Sequence, residues 1–278
     1  MLELGRRGEA LLFGALALSL AAASSIVGGR CLDLYGWIPL AAAMVTIILG
    51  GGLKRRAAWR GFGVTRAGFR AWLPALAIPG AVLPIGYVAA AATGNADFGL
   101  SGTTPVFFAG TTVAIVAAAS LEAIGEELGW RGYLLPRLAD LGRVRAGLAG
   151  GLLWATWHAP LIYIAGAYRP GAGPLYMVSF TVTIVAMGFV ANELRMASGS
   201  SWPAVVFHGA HNGILFQLGV LTTASTGLLA GIGDESGLVP MTLYVLVALW
   251  IVLLRPAWKL PTQPPGRNAH ANGGAAVG

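Results

Sequence analysis

The stretch LVPMTLYVLVALWIVLLR at positions 238–255 runs for seventeen residues without a charge before it reaches Arg255. A helix needs about 20 mostly apolar residues to cross the hydrocarbon core of a bilayer. Seven earlier stretches are similarly long and apolar. The eight predicted spans are 8–28, 34–53, 71–93, 104–125, 147–166, 174–194, 201–221 and 238–255. They predict an all-α, polytopic membrane helix bundle of about eight transmembrane helices.

The composition excludes other classes of protein. Hydrophobic residues make up 56% of the 278 residues, charged residues only 10%, and the mean hydropathy is +0.72. A soluble domain usually has about 25% charged residues, so this chain cannot cover a water-facing surface. No alternating segments of the kind that build a membrane β-barrel occur. A single cysteine, Cys31, excludes an internal disulfide framework and a cysteine-cluster metal site.

The basic residues predict the orientation of the spans. Cytoplasmic loops of membrane proteins carry an excess of Lys and Arg. The basic segment 54–70, between the second and third spans, is therefore assigned to the cytoplasm, which puts both termini there as well. All but Arg30 and Arg169 of the 18 Lys and Arg residues then fall on the cytoplasmic side or at its edge. This assignment accounts for the net charge of +7 without a nucleic-acid partner.

The chain is predicted to form one transmembrane helical domain over 1–255. The first span resembles a signal peptide, but its long apolar run and the immediate second span favour an uncleaved anchor. The residues 256–278 are rich in Pro, Gly, Asn and Ala and are predicted to be a disordered tail. We expect a multi-pass protein of the plasma membrane.

Ionisable residues inside a bilayer are costly and need a partner or a function. The segment SLEAIGEELGWRGYLLPRL at 120–138 holds the first cluster, at the predicted cytoplasmic end of the fourth span. Glu127 and Arg131 are four residues apart and share a helix face, whereas Glu126 points about 100° away. We expect Arg131 to neutralise Glu127 and leave Glu126 free to face a cavity. Glu122, one turn before Glu126, is either a supporting partner or part of a water-filled entrance.

Two later spans carry further polar groups. His158 lies in the fifth span, one turn after Trp154. In the seventh span His208 and Asn212 are four residues apart and share a face, and His211 points towards a neighbouring helix or lipid headgroups. Gly209 and Gly213 of the same span permit close helix approach. The three clusters are predicted to lie at a similar depth, between the cytoplasmic half and the middle of the bilayer.

A carboxylate, two imidazoles and a carboxamide form a set that can activate water and hold an oxyanion. No Ser or Cys lies beside a His in a convincing nucleophile arrangement, and there is no H-E-x-x-H zinc helix. Glu126, His158 and His208 could still bind zinc across three helices. Proton- or metal-coupled transport, and peptide binding without catalysis, stay open as alternatives. The absence of a compelling internal repeat speaks against transport.

The three clusters together resemble the CAAX-protease and bacteriocin-processing family of intramembrane endopeptidases, also called the CPBP or Abi family. Its pattern is E-E-x-x-x-R, then F-x-x-x-H, then H-x-x-x-N on later membrane helices. The first motif matches at 126–131 and the third at 208–212, while the second has Trp154 in place of Phe before His158. The resemblance covers about 104–221, the expected protease core. We interpret the Trp154 position as packing against the site.

The resemblance implies a role for each matched residue. Glu126 is the implied base that activates water, helped by His158. His208 and Asn212 are the implied oxyanion pair, and Glu127 with Arg131 is an orienting ion pair. A metal-free mechanism is favoured because Asn212 is a good hydrogen-bond donor and a poor metal ligand, with zinc as the alternative.

The implied partners are membrane lipid and a membrane-associated protein or peptide substrate. The predicted depth of the site favours a substrate that approaches from the cytoplasm or the cytoplasmic leaflet. No residue pattern reveals whether a prenyl group is recognised.

Overall fold

The computed structural model describes residues 5–50, 59, 61–99, 104–167, 173–256 and 258. The tail predicted to be disordered lies outside the described residues, except for Pro256 and Trp258. Four of the six basic residues in the segment 54–70, on which the orientation depends, lie outside them too (Lys54, Arg55, Arg56 and Arg60), as does Arg169.

The described chain is a bundle of α-helices, as predicted. The helices are α1 Arg6–Val27, α2 Arg30–Asp33, α3 Ile38–Leu49, α4 Trp72–Ala92, α5 Pro105–Glu127, α6 Leu135–Leu138, α7 Arg143–Tyr163, α8 Pro174–Ser198, α9 Trp202–Leu221, α10 Leu228–Ile232 and α11 Leu238–Leu254. Five helical segments of the described chain are long and apolar enough to cross a membrane, and two shorter apolar helices accompany them. The chain is a multi-pass membrane protein, for which eight spans stay a prediction.

The helix ends predicted to be cytoplasmic meet at one end of the bundle. Arg137 near the end of α6 donates to Glu9 in the first turn of α1, with 2.7 Å between Nε and Oε2. Arg143 at the start of α7 donates to the carbonyl of Ile251 near the end of α11, at 3.1 Å. Two of the basic residues assigned to the cytoplasmic side, Arg137 and Arg143, therefore join neighbouring helices.

A small sheet at the other end was not predicted. The strand β1 Ala96–Phe98 follows α4, and β2 Thr222–Ser225 follows α9. They pair antiparallel, with Ala96 opposite Ser225. Nearby, the hydroxyl of Tyr87 donates to Asp234 at 3.4 Å, which joins α4 to the loop before α11.

The helix that carries the fourth predicted span is longer than the span itself. The helix does not stop near residue 125 but continues from α5 into a π-helix, Leu128–Leu134, and then into α6. The whole helical segment runs from Val106 to Leu141, 36 residues. The acidic motif therefore lies well inside a helical segment and not at its cytoplasmic end. Short π-helices inside α-helices are frequent at functional sites.

Buried aromatic side chains fill the interior between these helices. Seven of these side chains come from six helical segments. They are Phe13, Tyr133, Trp154, Trp157, Phe180, Phe207 and Tyr244.

The helices α5 and α9 lie in close contact, and this contact depends on glycine, as predicted. A Cβ atom on Gly209 would collide with the backbone and side chain of Ser120. A Cβ on Gly213 would lie 2.7 Å from the Cα of Val116. Small residues let membrane helices approach this closely, and the approach brings α9 against the acidic motif.

We predict that Gly209→Val destabilises the bundle, because the two helices must separate to admit the side chain. Overpacking of this kind costs about 1–3 kcal/mol. Gly219→Val on the same helix is the matched control, since a Cβ at Gly219 meets no atom within 4 Å. Thermal unfolding in one detergent compares the two variants. Equal melting temperatures would contradict the close contact at Gly209.

Candidate active site

A buried carboxylate lies at the centre of the site. Glu127 is fully buried, and its Oε1 atom lies 2.8 Å from Nη1 of Arg131, which confirms the predicted ion pair. The same oxygen is 3.0 Å from Nδ1 of His208 on α9. Nε of Arg131 donates to Asn192 on α8 at 3.3 Å. One carboxylate thus ties the π-helix to α8 and α9.

The other carboxylate of the motif points to a different helix. Oε2 of Glu126 accepts a hydrogen bond from Nε1 of Trp154 on α7 at 2.8 Å. The expectation that Glu126 stays free is therefore wrong, because one of its oxygens is held. The other oxygen of Glu126, Oε1, makes no hydrogen bond within the described chain. It faces the turn at Gly36, and a Cβ atom on Gly36 would lie 3.8 Å from this oxygen. With 9% of its surface exposed, Glu126 keeps one oxygen for water or substrate.

Trp154 contacts four residues of the site. Besides its bond to Glu126, the guanidinium of Arg131 lies 4.3 Å from its ring centroid, a cation–π geometry. Its centroid is 5.3 Å from that of His208 and 5.9 Å from that of His158. The packing predicted for this position is confirmed, and in addition the indole N–H donates a hydrogen bond to the acid.

His158 is held from two sides. Its Nδ1 atom is 2.9 Å from the carbonyl oxygen of Trp154, one turn earlier on α7. A carbonyl can only accept, so Nδ1 carries the proton and Nε2 of the neutral ring carries the lone pair. Trp157 and Phe180 pack on the ring, at 4.7 and 5.2 Å between centroids. The packing and the hydrogen bond fix both tautomer and orientation.

Two residues considered on the sequence stand apart from this hydrogen-bonded cluster. Asn212 is half-buried, one turn after His208, and makes no hydrogen bond to the described part of the chain. Its amide is therefore available to a ligand. Glu122 is exposed and likewise has no hydrogen-bond partner among the described residues.

His211 points to a neighbouring helix, one of its two expected positions. Its Nδ1 atom is 2.8 Å from the hydroxyl of Tyr244 on α11. Its Nε2 atom is 3.8 Å from Oε1 of Glu235, in the loop before α11. His211 therefore belongs to a second buried polar group beside the first.

Three residues of the two polar clusters were not predicted from the sequence. Asn192 is part of no motif, and only its position as an amide inside a predicted span could have drawn attention to it. Tyr244 and Glu235 were missed because their partner His211 is far away in the sequence. Contacts between distant helices leave no local pattern.

Zinc ligation by Glu126, His158 and His208 finds no support in this geometry. No group of three His, Cys, Asp or Glu side chains in the described ranges is arranged to hold a metal ion.

Comparison with known proteins confirms the family resemblance. Residues 108–214, which include all three motifs, match the model of the family described as Type II CAAX prenyl endopeptidase Rce1-like. A curated protein of Methanococcus maripaludis, named CAAX prenyl protease 2, is 31% identical over 93 residues. That alignment covers 32% of this chain and 34% of the relative, so it spans about a third of the relative's length.

We predict that Arg131→Met destabilises the protein strongly, because it leaves the Glu127 carboxylate buried beside only a histidine. Breaking a buried ion pair costs about 3–5 kcal/mol. Arg137→Met is the matched control, since the Arg137–Glu9 pair is equally short at 2.7 Å but more exposed. Its loss should cost at most about 1 kcal/mol. Chemical unfolding in mixed micelles measures both, and equal losses would refute the special position of Arg131.

Proposed function

We propose that this chain, a relative of the CAAX prenyl endopeptidases, is an intramembrane endopeptidase that cleaves a membrane-associated protein or peptide. The observation that carries the proposal is the meeting of Glu126, His158 and His208, from three helices, around one tryptophan inside the bundle. Burying that many polar groups inside a membrane protein costs free energy, and such groups usually have a function.

In the proposed reaction Glu126 is the general base. Its Oε1 atom takes a proton from water while Trp154 holds Oε2. The hydroxide oxygen attacks the carbonyl carbon of the substrate and forms a tetrahedral intermediate. The C–N bond then breaks, and the proton on Glu126 passes to the leaving amine. The lone pair on Nε2 of His158 helps to orient the water.

The oxyanion is assigned to His208 and Asn212. With Nδ1–H directed at Glu127, His208 donates from Nε2 when its ring is an imidazolium, a charge that the Glu127 carboxylate stabilises. The amide of Asn212, one turn away, supplies a second donor. Donors already in position when charge develops are worth several kcal/mol in catalysis. Arg131 and Asn192 act through Glu127 and are positioning residues.

The proposal relies on the residues of the chain and assigns no step to a metal. The substrate is proposed to approach from the side of the membrane where the basic helix ends meet. The name of the Methanococcus relative suggests prenylated proteins as the first substrates to test.

We predict that Glu126→Gln abolishes cleavage and preserves the fold, because the amide keeps the shape of the side chain but cannot take a proton. Loss of a general base costs about 10²–10⁴-fold in rate. The measurement compares N-termini of membrane proteins from cells that express either form. The matched control is Glu122→Gln, one turn away and exposed, which should keep full activity. Full cleavage by the Glu126→Gln protein would refute the role of Glu126 as the general base, whereas the same N-termini with and without the unaltered protein would favour binding without catalysis.

We predict that Trp154→Phe lowers kcat about tenfold and leaves KM unchanged, because the ring still packs but Glu126 loses its donor. Trp157→Phe is the control, since the buried indole N–H of Trp157 has no partner in the described chain. Purified proteins are compared on a prenylated peptide. Equal kcat values for the two variants would show that the hydrogen bond does not support catalysis.

A further inference from the structure

A cavity of about 730 Å³ opens between the start of α4 and the last turns of α8 and α11. Ligand pockets in proteins usually measure about 300–1,000 Å³. Apolar side chains form most of its wall, and they include Pro74, Ile78, Val190, Leu194, Val247 and Ile251. This apolar part of the wall suits a hydrocarbon chain.

Charged groups surround one part of the same cavity. Glu193 is shared by two arginines, with Nε of Arg255 at 3.1 Å and Nη2 of Arg143 at 3.3 Å from its two oxygens. Nε1 of Trp258 donates to the same carboxylate at 2.9 Å. Arg70, also in the wall, is exposed and has no ion pair or hydrogen bond within the described chain. The cavity therefore carries an excess of positive charge.

The position of the cavity matches the level of lipid headgroups. It lies at the end of the bundle where the basic helix ends meet, the predicted cytoplasmic side. Phe69 and Trp250 stand in its wall with 71% and 51% of their surfaces exposed. Exposed aromatic side chains are typical of the boundary between hydrocarbon and headgroups.

We propose that this cavity binds an anionic phospholipid of the membrane. One acyl chain lies along the apolar wall, and the phosphate group contacts Arg70 and Arg255. Basic pockets between membrane helices on the cytoplasmic side are suited to anionic headgroups. A phospholipid has both an acyl chain, which fits the apolar wall, and a negative charge, which fits the two arginines. The proposal does not depend on peptide hydrolysis.

The test is native mass spectrometry of the purified chain with phosphatidylglycerol and with phosphatidylcholine of the same acyl composition. We expect tighter binding of phosphatidylglycerol. Arg70→Gln should weaken that binding about fivefold, the effect expected for one basic residue near an anionic lipid, and leave phosphatidylcholine unaffected. Ala197→Phe adds a ring at an exposed position of the wall and should weaken both lipids.

Arg66→Gln is the matched control, because Arg66 is exposed on the same side, four residues before Arg70, but outside the cavity wall. It should leave binding unchanged. Equal affinity for the two lipids would overturn the proposal. Equal weakening of phosphatidylglycerol binding by Arg66→Gln and Arg70→Gln would also overturn it, because the attraction would then come from the general charge of the surface. Displacement of phosphatidylglycerol by a farnesylated peptide would also overturn it and assign the cavity to a substrate.

Discussion

A carboxylate buried between membrane helices needs positive partners, and this need organises the centre of the molecule. Glu127 is paired with Arg131 of its own helical segment and with His208 of α9. Arg131 in turn needs the amide of Asn192 and the ring of Trp154. Removing two charges from water costs several kcal/mol per ion unless further hydrogen bonds compensate. The polar contacts therefore hold four helical segments together.

The backbone makes these contacts possible. The helix widens into a π-helix immediately after Glu127, so that Arg131 is presented within a differently wound segment. On the other side, Gly209 lets α9 lie directly on α5, next to the turn that carries His208. Small residues and a local change of winding thus act where the polar side chains converge. A larger side chain at this contact would separate the histidine from its carboxylate.

The sequence predicted the parts of this arrangement that depend on local spacing. The separation of four residues predicted that Arg131 lies beside Glu127, and the length of the apolar stretches predicted the helices. The hydrogen bond that Trp154 donates to Glu126 was not predicted, because a tryptophan one turn before a histidine is equally well explained by packing. The bond from His208 to Glu127 was missed because it joins residues 81 positions apart. Spacing determines which residues share a helix face, but tertiary packing determines which faces meet.

Helix α8 connects the two sites that we propose. Asn192 points inward to Arg131, while the next residue, Glu193, points to the arginines beside the cavity. Neighbouring residues of a helix differ by about 100° in direction, so one helix can serve both sites. The polar cluster and the cavity therefore meet at one turn of α8.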